Sequence, residues 1–534
     1  MIYRKGFFSL LALCFSVFLV SCRKSSTANW DVDAVVPVVN SKLNVRNFIA
    51  DTLFESDANN LLHLRINQQL AALSLDSLVS IPDTVITLNF KNPLPFDNVL
   101  QPGAPINVPS SDVTFDFPDG VAISTVSVRS GKLKISFSND LDQPLDIVYT
   151  FPTVKKGTEA LKISETIPPG VNSLVKSYDL KDYVFGLRGA TNTQYNTLAQ
   201  TCSLSLSSSA TSTALIKYNM GAGAVVGFEK IVPQFIEGYF GQQVVDLSND
   251  TTDFSFLNNI TASNFLLDEA KMTFTIVNEF GVDFSASISN VNAINSRTKK
   301  TVTLSGSQLS SINLDRATRV GTTLTTKSKV LNFTNANSNI AAFISTLPDK
   351  ISYGGQIKMN PVPPGNISGY HDFAFYNTGL RILADIDIPL KFKADYFELQ
   401  TISDFEFSGN SALEGYNDGA FVIYATNGFP FSAKVQAYLY DANNALIDSV
   451  FVPGQNMISA ATLDAQNIVT SPLKSTVRVP IHKSTLDNLQ RCKKIKVLSR
   501  LLLPPSPPSV SILSTYELGI NITAEVNYNV DLGR

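Results

Sequence analysis

Apolar and polar residues alternate along much of this chain, and three stretches share a further pattern. Residues 132–139, 271–278 and 421–427 alternate with a period of two, end in Asn-x-(Leu/Phe), and precede a second alternating stretch. This period predicts a β-strand with one face on a core and the other in water. Each Asn marks a turn, because Asn tolerates left-handed backbone angles. The three asparagines, Asn139, Asn278 and Asn427, are 139 and 149 residues apart.

A second landmark follows each Asn by about 60 residues, at 196–202, 339–348 and 484–492. Each pattern predicts a helix of two or three turns that leads into a strand. In the third copy, Ser484 and Asp487 have the spacing of a capping box. Two landmarks at matched spacing in three copies indicate a tandem array.

Gly, Pro and Asn clusters separate short strands, and long helical patterns are rare, which is typical of antiparallel β-sandwiches. The fold class predicted is therefore all-β, with three tandem antiparallel sandwich-like domains and a few short helices. The limits predicted are 31–215, 216–370 and 371–534. The first domain also carries additional strands near 62–66 and 84–90.

The N-terminus has a different pattern. Arg4 and Lys5 precede an apolar run over 7–20, which is too short for a permanent membrane span and predicts a signal peptide over 1–21. Leu19-Val20-Ser21-Cys22 resembles the lipobox of bacterial lipoproteins, which implies cleavage before Cys22 and acylation of that residue. Residues 22–30 then form a lipidated tether. An ordinary signal peptide ending near a chance Cys is the alternative.

Charge and cysteine content narrow the function classes. Cleavage removes two of the 42 Lys and Arg residues and none of the 45 Asp and Glu residues, so the mature net charge is near −5. This balance argues against a nucleic-acid partner, and no second apolar stretch is long enough for a transmembrane helix. Cys202 and Cys492 could form a disulfide in an exported protein, but their equivalent places in different copies favour buried free thiols.

With these features in place, the chain resembles the large outer-membrane lipoproteins of Bacteroidota whose function is undefined. The resemblance rests on the lipobox, on Trp30-Asp31-Val32-Asp33 with Pro37, and on Gly238-Tyr239-Phe240-Gly241. It implies a compartment and β-domains but no activity. In that phylum an acidic cluster behind the lipidated Cys often accompanies surface exposure; here Arg23 and Lys24 follow, which favours the periplasmic face of the outer membrane.

The strand–Asn–strand unit is faintly similar to the water-stress or LEA-type β-sandwich. That family usually has Asn-Pro at the turn, whereas Asp, Glu and Gly follow Asn139, Asn278 and Asn427 here. The departure weakens the resemblance.

Candidate chemistry is sparse. The three histidines, His63, His371 and His482, fall in patterns that favour structural or solvated roles, and no zinc-type spacing, P-loop or nucleophile elbow occurs. We therefore predict no catalytic, cofactor-binding or metal-binding residue. Asp385, Asp387 and Asp395 alternate along strands as a solvated face would. A hydrolase with dispersed carboxylates stays an alternative, because such carboxylates need no local motif.

The strongest charge feature is a basic cluster comprising Arg491, Lys493, Lys494, Lys496 and Arg500. One interpretation is a solvated helix end and edge strand, in which Lys prevents edge-to-edge pairing. The other is contact with anionic lipid A or a protein partner. Asp-(Ser/Thr)-apolar triplets resemble the O-glycosylation motif of Bacteroidota and mark Thr52, Ser77, Thr84 and Ser449 as candidate sites.

These observations predict a non-enzymatic, lipid-anchored outer-membrane lipoprotein that presents β-sandwich domains for binding or assembly on the periplasmic face. Its predicted partners are the membrane, through the lipid on Cys22, and a protein of the outer membrane. Three alternatives stay open: an accessory or plug subunit of a machine such as the type IX secretion translocon, a glycan-binding or adhesin lipoprotein, and a hydrolase.

Overall fold

The computed structural model describes residues 29–47, 53–75, 79–106, 112–257, 260–362, 366–406, 415–451, 456–465, 468–503 and 509–531. These residues form two compact units. Unit 1 lies within Met1–His63, Leu257–Asp268 and Pro389–Arg534, and unit 2 lies within Leu64–Phe256 and Glu269–Ile388. Strands dominate both units, which confirms the predicted all-β fold class.

The strands are numbered in chain order. The first are β1 Asn29–Leu43, β2 Phe54–Ser56, β3 Leu62–Ser74, β4 Thr84–Lys91, β5 Asn98–Leu100, β6 Pro105–Ile106, β7 Val113–Thr114, β8 Ala122–Asn139, β9 Leu145–Lys156, β10 Glu159–Ile167, β11 Leu174–Asp179, β12 Val184–Gly186, β13 Thr197–Leu198, β14 Thr201–Leu206, β15 Ala214–Ile216 and β16 Gly221–Tyr239. They continue with β17 Val244–Asp253, β18 Ala262–Ser263, β19 Leu266–Leu267, β20 Lys271–Asn278, β21 Phe284–Asn295, β22 Lys300–Thr303, β23 Ile312–Leu314, β24 Thr318–Val320, β25 Thr323–Thr325, β26 Lys327–Phe333, β27 Lys350–Met359, β28 Asp372–Phe375 and β29 Gly379–Pro389. The last are β30 Lys391–Lys393, β31 Tyr396–Asp404, β32 Tyr416–Asn427, β33 Ser432–Tyr440, β34 Leu446–Ser449, β35 Met457–Ile458, β36 Thr462–Leu463, β37 Val469–Ser471, β38 Leu473–Pro480, β39 Lys494–Leu502, β40 Val510–Ser511 and β41 Leu518–Asp531.

One order of antiparallel pairings occurs three times. In each set of six strands, the fifth strand pairs with the first and third, and the second pairs with the fourth and sixth. The first repeat consists of β6, β8, β9, β11, β14 and β16. The second repeat consists of β17, β20, β21, β26, β27 and β29. The third repeat consists of β31, β32, β33, β38, β39 and β41.

The first and second repeats belong to unit 2, and the third belongs to unit 1. In unit 1 the sheets have the orders β1-β41-β32-β38 and β18-β31-β39-β33-β34. In unit 2 the second repeat has the orders β17-β27-β21-β22 and β3-β29-β20-β26, and the strands of the first repeat belong to a ten-stranded sheet. The domain limits at 215 and 370 stay predictions.

The N-terminal segment adds one strand to each repeat. Within unit 2, β4 pairs with β16 and β3 lies beside β29. Within unit 1, β1 pairs with β41 along its whole length. The three partner strands, β16, β29 and β41, are the sixth strands of the first, second and third repeats. The N-terminal segment therefore pairs with the same position of every repeat. Along the chain it meets the third repeat first and the first repeat last. Strands were predicted at 62–66 and 84–90, and both are present.

The three asparagines of the sequence pattern make the same hydrogen bonds. Each is buried, and its Oδ1 accepts the backbone N–H two residues on, at 2.9–3.0 Å. Each Nδ2 donates to the carbonyl four residues on and to at least one remote carbonyl. One side chain thus closes the turn between two strands and ties it to another loop, which satisfies buried backbone groups.

Asn92 forms a fourth turn of this type. Its Oδ1 accepts the N–H of Leu94 at 3.1 Å, and its Nδ2 donates to the carbonyls of Phe96 at 3.0 Å and Ile216 at 3.2 Å. The following residue is Pro93. Asn92 also fits the Asn-x-(Leu/Phe) rule, which was the signal that could have identified it.

Helices are present at two of the three predicted places, although the one in the second repeat has five residues rather than two or three turns, and the helix predicted at 196–202 is wrong. The predicted capping box is also wrong, because Ser484 lies inside its helix, whose N-cap is His482 without a side-chain cap hydrogen bond. The helices are α1 Ile340–Ile344 and α2 Lys483–Arg491. At 196–202 the chain forms β13 and the start of β14 instead. Asn196 has a φ of 59°, its Oδ1 accepts the N–H of Ile123 at 2.6 Å, and its Nδ2 donates to the carbonyl of Val121. These contacts with a distant segment replace the helical bonds.

Aromatic side chains fill the core of each repeat. In the first repeat, the Phe228 ring lies 5.6 Å from those of Phe115 and Phe151. In the third repeat, Phe397 and Phe431 are 5.7 Å apart. These contacts combine large apolar burial with favourable edge-to-face geometry. No helix in the described part of the chain has the length and hydropathy of a membrane span.

Candidate functional site

Three residues of the basic cluster, Lys494, Lys496 and Arg500, lie on the outer face of a sheet of the third repeat. Along β39, Ile495, Val497 and Leu501 are buried, and the alternate residues point outward. We call this surface the basic face; its outward residues on β31, β33 and β39 include Tyr396, Glu398, Lys434, Tyr438, Tyr440, Lys494, Lys496 and Arg500. The alternation that predicted the strand therefore also collects its charges on one side.

Arg500 is fixed in place on the basic face. Its Nε donates to Oε1 of Glu398 at 2.8 Å, and a second guanidinium nitrogen donates to the same oxygen. The guanidinium also lies 4.3 Å from the centre of the Tyr396 ring, a cation–π distance. The hydrogen bond to Glu398 raises the pKa of Arg500 above its usual value. This pair joins two neighbouring strands, and Arg500 is the exposed basic residue of β39, whereas Lys494 and Lys496 are half-buried.

The opposite half of the face combines lysine with tyrosine. Lys496 lies in register between Ile402 on β31 and Tyr438 on β33. Lys494 lies beside Tyr440, and its Nζ donates to Oδ1 of Asn444 at 2.9 Å. Ile402 is 61% exposed. An exposed aliphatic side chain among tyrosines and lysines suits contact with another surface more than simple solvation.

The interpretation of the basic cluster as an edge strand is wrong. β39 lies between β31 and β33 and pairs with both over its full length. Its lysines therefore cannot serve to block edge-to-edge pairing. Arg491, by contrast, ends α2 as predicted, and Lys493 lies between the helix and the strand.

The outer face of the other sheet of the third repeat, which we call the acidic face, carries Asp31, Asp33 and Glu525, and Glu525 is paired with Arg478 of β38. Oδ1 of Asp31 accepts hydrogen bonds from Asn529 at 3.0 Å and Asn417 at 3.3 Å. Oδ1 of Asp33 accepts one from Asn527 at 2.8 Å. The Asp-x-Asp motif of the N-terminus thus has a structural role, because it fixes β1 to the C-terminal strand β41.

The start of β1 lies at a defined end of the third repeat. The last residue of β1, Leu43, faces Leu518 on β41, and Leu518 also faces Asn427 on β32. The first residues of β1 are therefore at the end opposite the Asn427 turn. Since β33 runs away from that turn, its last residue, Tyr440, lies at the same end as the start of β1, next to Lys494.

Helix α2 spans this same end. It begins three residues after Pro480, the last residue of β38, and ends three residues before Lys494. Its nine residues rise about 13 Å, close to the roughly 10 Å between packed sheets. We call this region the tethered end. Its basic residues are Lys483, Arg491, Lys493, Lys494 and Lys496.

Unit 2 contains a separate candidate site, the tyrosine cluster, formed by Tyr195, Tyr239 and Tyr370. The rings of Tyr195 and Tyr370 stack with centroids 4.4 Å apart, and Tyr239 meets Tyr370 edge-on at 6.1 Å. The guanidinium of Arg188 lies 4.5 Å from the Tyr195 ring centre. Tyr370 has a φ of 69° and is 37% exposed. Positive φ is strained for such a side chain, and such strain is concentrated at functional sites.

Charged side chains border the tyrosine cluster. Nδ1 of His371 lies 3.1 Å from Oε1 of Glu237, and Arg319 donates to Oε2 of the same carboxylate at 2.9 Å. The side chain of His371 is 75% exposed, whereas that of Glu237 is 18% exposed. The site thus offers an aromatic ring edge beside a hydrogen-bonding His–Glu–Arg row.

A buried carboxylate supports the loop that carries Tyr370. Asp372 is fully buried and accepts hydrogen bonds from the Phe240 N–H at 3.0 Å and from Asn360 Nδ2 at 2.9 Å. The guanidinium of Arg316 lies 3.4 Å from Oδ1 of Asp372 and forms a closer ion pair with Asp283, at 2.7 Å. Burial, followed by the charge of Asp372, raises the pKa of Tyr239.

The Gly238-Tyr239-Phe240-Gly241 motif has a local explanation. A Cβ at Gly238 would lie 2.3 Å from the carbonyl oxygen of Ala122, and Gly241 has a φ of 80°. The two glycines permit a close strand approach and a turn, while Tyr239 reaches the cluster. Sequence reasoning missed the cluster because its members come from segments 175 residues apart, although this motif marked one of them.

The other residues singled out in the sequence are dispersed. His63 lies on β3 and His482 precedes α2. Asp395 accepts hydrogen bonds from Ser263 and Asn264, and Asp387 lies 3.9 Å from Arg65. No carboxylate pair with a shared pocket emerges from these contacts. Within the described ranges, no group of three or more His, Cys, Asp or Glu side chains is placed to hold a metal ion.

Cys202 and Cys492, the cysteines among the described residues, are free thiols. Cys492 is fully buried, and Cys202 is half-buried. Burial raises the pKa of Cys202 to about 12 and also raises that of Cys492. Such thiols are inert at neutral pH, since the thiolate is the nucleophile.

The structure describes only two of the residues that were predicted to be lipidated or glycosylated. Cys22, Thr52 and Ser77 lie outside the described residues. Thr84 begins β4 half-buried, with its hydroxyl donating to the carbonyl of Pro82. Ser449 ends β34 with an exposed side chain. Of the two described candidates, Ser449 is the more accessible to a glycosyl group.

The cavities described are a poor match for a small-molecule active site. An apolar space of about 30 Å³, lined by residues including Leu70, Phe274 and Ile382, lies inside the second repeat. An open groove of about 590 Å³ crosses the strand bulges near Asn290 and Gly355. The first holds at most about one water, and the second is shallow.

Comparisons with known proteins identify no family. No protein-family model matches the chain, and no curated protein matches it. A crystal structure of a candidate secreted protein from Parabacteroides distasonis ATCC 8503 aligns with 53% of this chain and 82% of its own, at 12% identity and a TM-score of 0.27. The structure of infectious bursal disease virus, Gt strain, aligns with 90% of this chain and 81% of its own, at 9% identity and a TM-score of 0.13. These scores assign no function.

Proposed function

We propose that this protein is a non-enzymatic lipoprotein, anchored in the outer membrane through Cys22, that presents its β-sandwich repeats for binding or assembly on the periplasmic face. The observation that carries the proposal is the basic face of the third repeat. It places tyrosines, Arg500 and the exposed Ile402 on a sheet whose central strand is paired on both sides.

This composition supports a contact surface. Tyrosine and arginine are the residue types enriched at interfaces between proteins. The face is also preorganised, because the Arg500–Glu398 pair and the sheet hydrogen bonds hold it before a partner arrives. Preorganisation lowers the entropic cost of association.

The anchor is tested by labelling cells with palmitate. The wild-type chain is expected to incorporate the label and to partition with membranes. A Cys22→Ala variant is expected to lose both properties, because the proposed acyl group is its attachment to the membrane. Retention of label by the variant would contradict the anchor.

The binding role is tested by purifying a C-terminally tagged chain from gently solubilised outer membrane. A protein recovered in stoichiometric amount is the expected result, and its loss in a Tyr438→Ala, Tyr440→Ala variant would place the contact on the basic face. Asn417→Ala on the acidic face is the matched control. Recovery of the chain alone would contradict the binding role.

Glycan binding is a second candidate, and the tyrosine cluster favours it. Sugar rings stack on aromatic rings, and their hydroxyls bind groups such as His371 and Glu237. A glycan array with the wild-type chain and a Tyr370→Ala variant tests this role. Binding that the variant loses supports it, and an array without binding rejects it.

A further inference from the structure

We propose that two copies of this chain join through the free edge of β4, which pairs antiparallel with β4 of the second copy and places Thr87 of one copy opposite Thr87 of the other. This contact lies in unit 2, within the first repeat. It goes beyond the proposed function, because it depends neither on the lipid anchor nor on the basic face.

β4 forms an edge of its sheet. Its eight residues, Thr84–Lys91, pair with residues 221–228 of β16 without a register shift. Among the described residues, β16 is the only strand with which β4 pairs. The other side of β4 therefore presents a row of main-chain N–H and C=O groups to which a further strand can add.

The other two strands that the N-terminal segment adds to the repeats are protected at this side. β1 contains Pro37, where its register shifts, and it carries the exposed Asp31 and Asp33. β3 has β2 on its other side. β4 has no proline, charge or register shift between Asp83 and Lys91. Edges that stay free are usually blunted by such features, so the unprotected edge of β4 indicates a strand that receives a partner.

The inward side of β4 leaves apolar surface uncovered. Ile86, Leu88 and Phe90 face the core, yet each of them is half-buried. Their cross-strand neighbours on β16 are all buried: Val226, Ala224 and Ala222. A further strand beside β4 would remove this apolar rim from water, which favours association.

The charges that flank β4 fit a second copy in one register. Asp83 and Lys91 both lie on the exposed, outer side of the strand. In an antiparallel pair centred on Thr87, Asp83 of each copy faces Lys91 of the other. Ile86 of each copy then faces Leu88 of the other on the inward side. Cross-strand pairs of opposite charge and of apolar side chains stabilise a sheet, so the sequence of β4 is complementary to itself.

Both charged residues have partners within one copy that leave room for this pairing. Oδ1 of Asp83 accepts the backbone N–H of Lys230 at 2.8 Å, which leaves Oδ2 for a second donor. Nζ of Lys91 lies 3.6 Å from Oδ2 of Asp140. Since a lysine has three N–H donors, Lys91 can keep this ion pair and also donate to Asp83 of the second copy.

The turn that follows β4 adds apolar surface at the end of the strand. Leu94 and Phe96 are 40% and 57% exposed. In the antiparallel pair, this end of β4 lies near the start of β4 in the other copy, where Ile81 and Pro82 are half-buried. The contact therefore extends beyond the paired strands, as a stable interface requires.

A cysteine at the centre of the pair tests the register. In Thr87→Cys, two thiols face each other across strands whose Cα atoms lie about 4.5–5.5 Å apart, which a disulfide can span. The full chain is purified in a mild detergent, oxidised with copper phenanthroline and analysed on a non-reducing gel. We expect a linked dimer that is absent from the wild-type chain.

Asn89→Cys is the matched control, because Asn89 is exposed on the same side of β4. In the proposed register position 89 faces position 85, so the two cysteines would lie more than about 13 Å apart and should not link.

Lysine variants test the contact without oxidation. Thr87→Lys places two like charges opposite each other and should weaken the dimer about fivefold in sedimentation equilibrium. Val175→Lys is the control, since Val175 is 52% exposed in the same cross-strand row of the sheet but lies on β11, away from β4. It should leave the dimer unchanged. Thermal unfolding of each variant separates a loss of association from a loss of fold.

Equal linkage at positions 87 and 89, or linkage at neither, would overturn the inference, and so would a wild-type chain that sediments as a monomer. A Thr87→Cys chain that links to a different protein in cells, and not to itself, would exclude a second copy as the occupant of this edge. These outcomes leave the palmitate and purification tests of the proposed function intact.

Discussion

The two outer faces of the third repeat are built on the same pairing pattern and differ in how their charges are held. On the acidic face, Asp31 and Asp33 are tied to asparagines of neighbouring strands. On the basic face, Arg500 is paired with Glu398, but Lys496 lies between Ile402 and Tyr438. The hydrogen-bonded aspartates hold neighbouring strands together, whereas Lys496, which lies beside a tyrosine, is suited to contact a partner.

The largest predicted effect comes from the turn that joins the two faces. In Asn427→Ala, the carbonyls of Phe431 and Ser459 and the N–H of Phe429 lose their partner in a buried site. Each unsatisfied buried group costs about 1–3 kcal/mol, so the free energy of unfolding of unit 1 should fall by about 3–5 kcal/mol. Denaturant titration followed by labelling of Cys492 measures this loss.

Asn443→Ala is the control for that variant, since Asn443 lies in an exposed turn and contributes its backbone N–H. It should change the free energy of unfolding by less than about 0.5 kcal/mol. Similar losses in both variants would contradict the role assigned to the buried turn.

A smaller effect is expected on the acidic face. The double change Asp31→Ala, Asp33→Ala removes three side-chain hydrogen bonds between β1 and its neighbours. Exposed polar bonds of this kind contribute about 0.5–1 kcal/mol each, so β1 should loosen while the core of the repeat persists. Hydrogen exchange should accelerate in β1 more than in β39, and equal acceleration would contradict this account.

A still smaller stability effect is expected for Glu398→Gln on the basic face. The ion pair with Arg500 is partly exposed and contributes less than about 1 kcal/mol. Denaturant titration of the variant measures this loss, and a loss of more than about 2 kcal/mol would contradict the assignment of the pair to a partly exposed surface.

The reaction rates of the two native thiols, Cys202 and Cys492, test the packing of the first and third repeats without any substitution. Cys492 lies buried at the tethered end, and Cys202 lies in the first repeat with a pKa of about 12. Native protein should therefore react slowly with a thiol reagent at pH 8, and the rate should increase about tenfold per pH unit above it. Fast labelling of either residue in native protein would show that its surroundings open.

The local parts of the fold were accessible from sequence. Alternation identified the strands, and Asn278 and Asn427 mark turns as predicted. The reason predicted was wrong: these residues do not have left-handed backbone angles, and their side chains close the turns by hydrogen bonds within four residues. The helix at Lys483–Arg491 was predicted from its position in the repeat, although the capping box was wrong, since Ser484 lies inside the helix. Asn92 follows the same rule, but it lies outside the matched spacing of the three repeats and was not identified.

The non-local parts were not accessible. Asn196 makes no helix because it bonds to Val121 and Ile123, over 70 residues away. β39 is a central strand because β31, which lies about 100 residues earlier, pairs with it. The basic cluster was identified by composition, but its acidic counterpart and its position relative to β1 required the strand registers.

The central claim is that the basic face of the third repeat contacts a protein partner and the acidic face does not. The most direct measurement places a photo-crosslinking residue at position 496 or at position 527 in the membrane-bound protein and identifies the proteins that each position captures. We predict one protein captured in stoichiometric amount from position 496 and none from position 527. Equal capture at the two positions, or stronger capture at 527, would contradict the account.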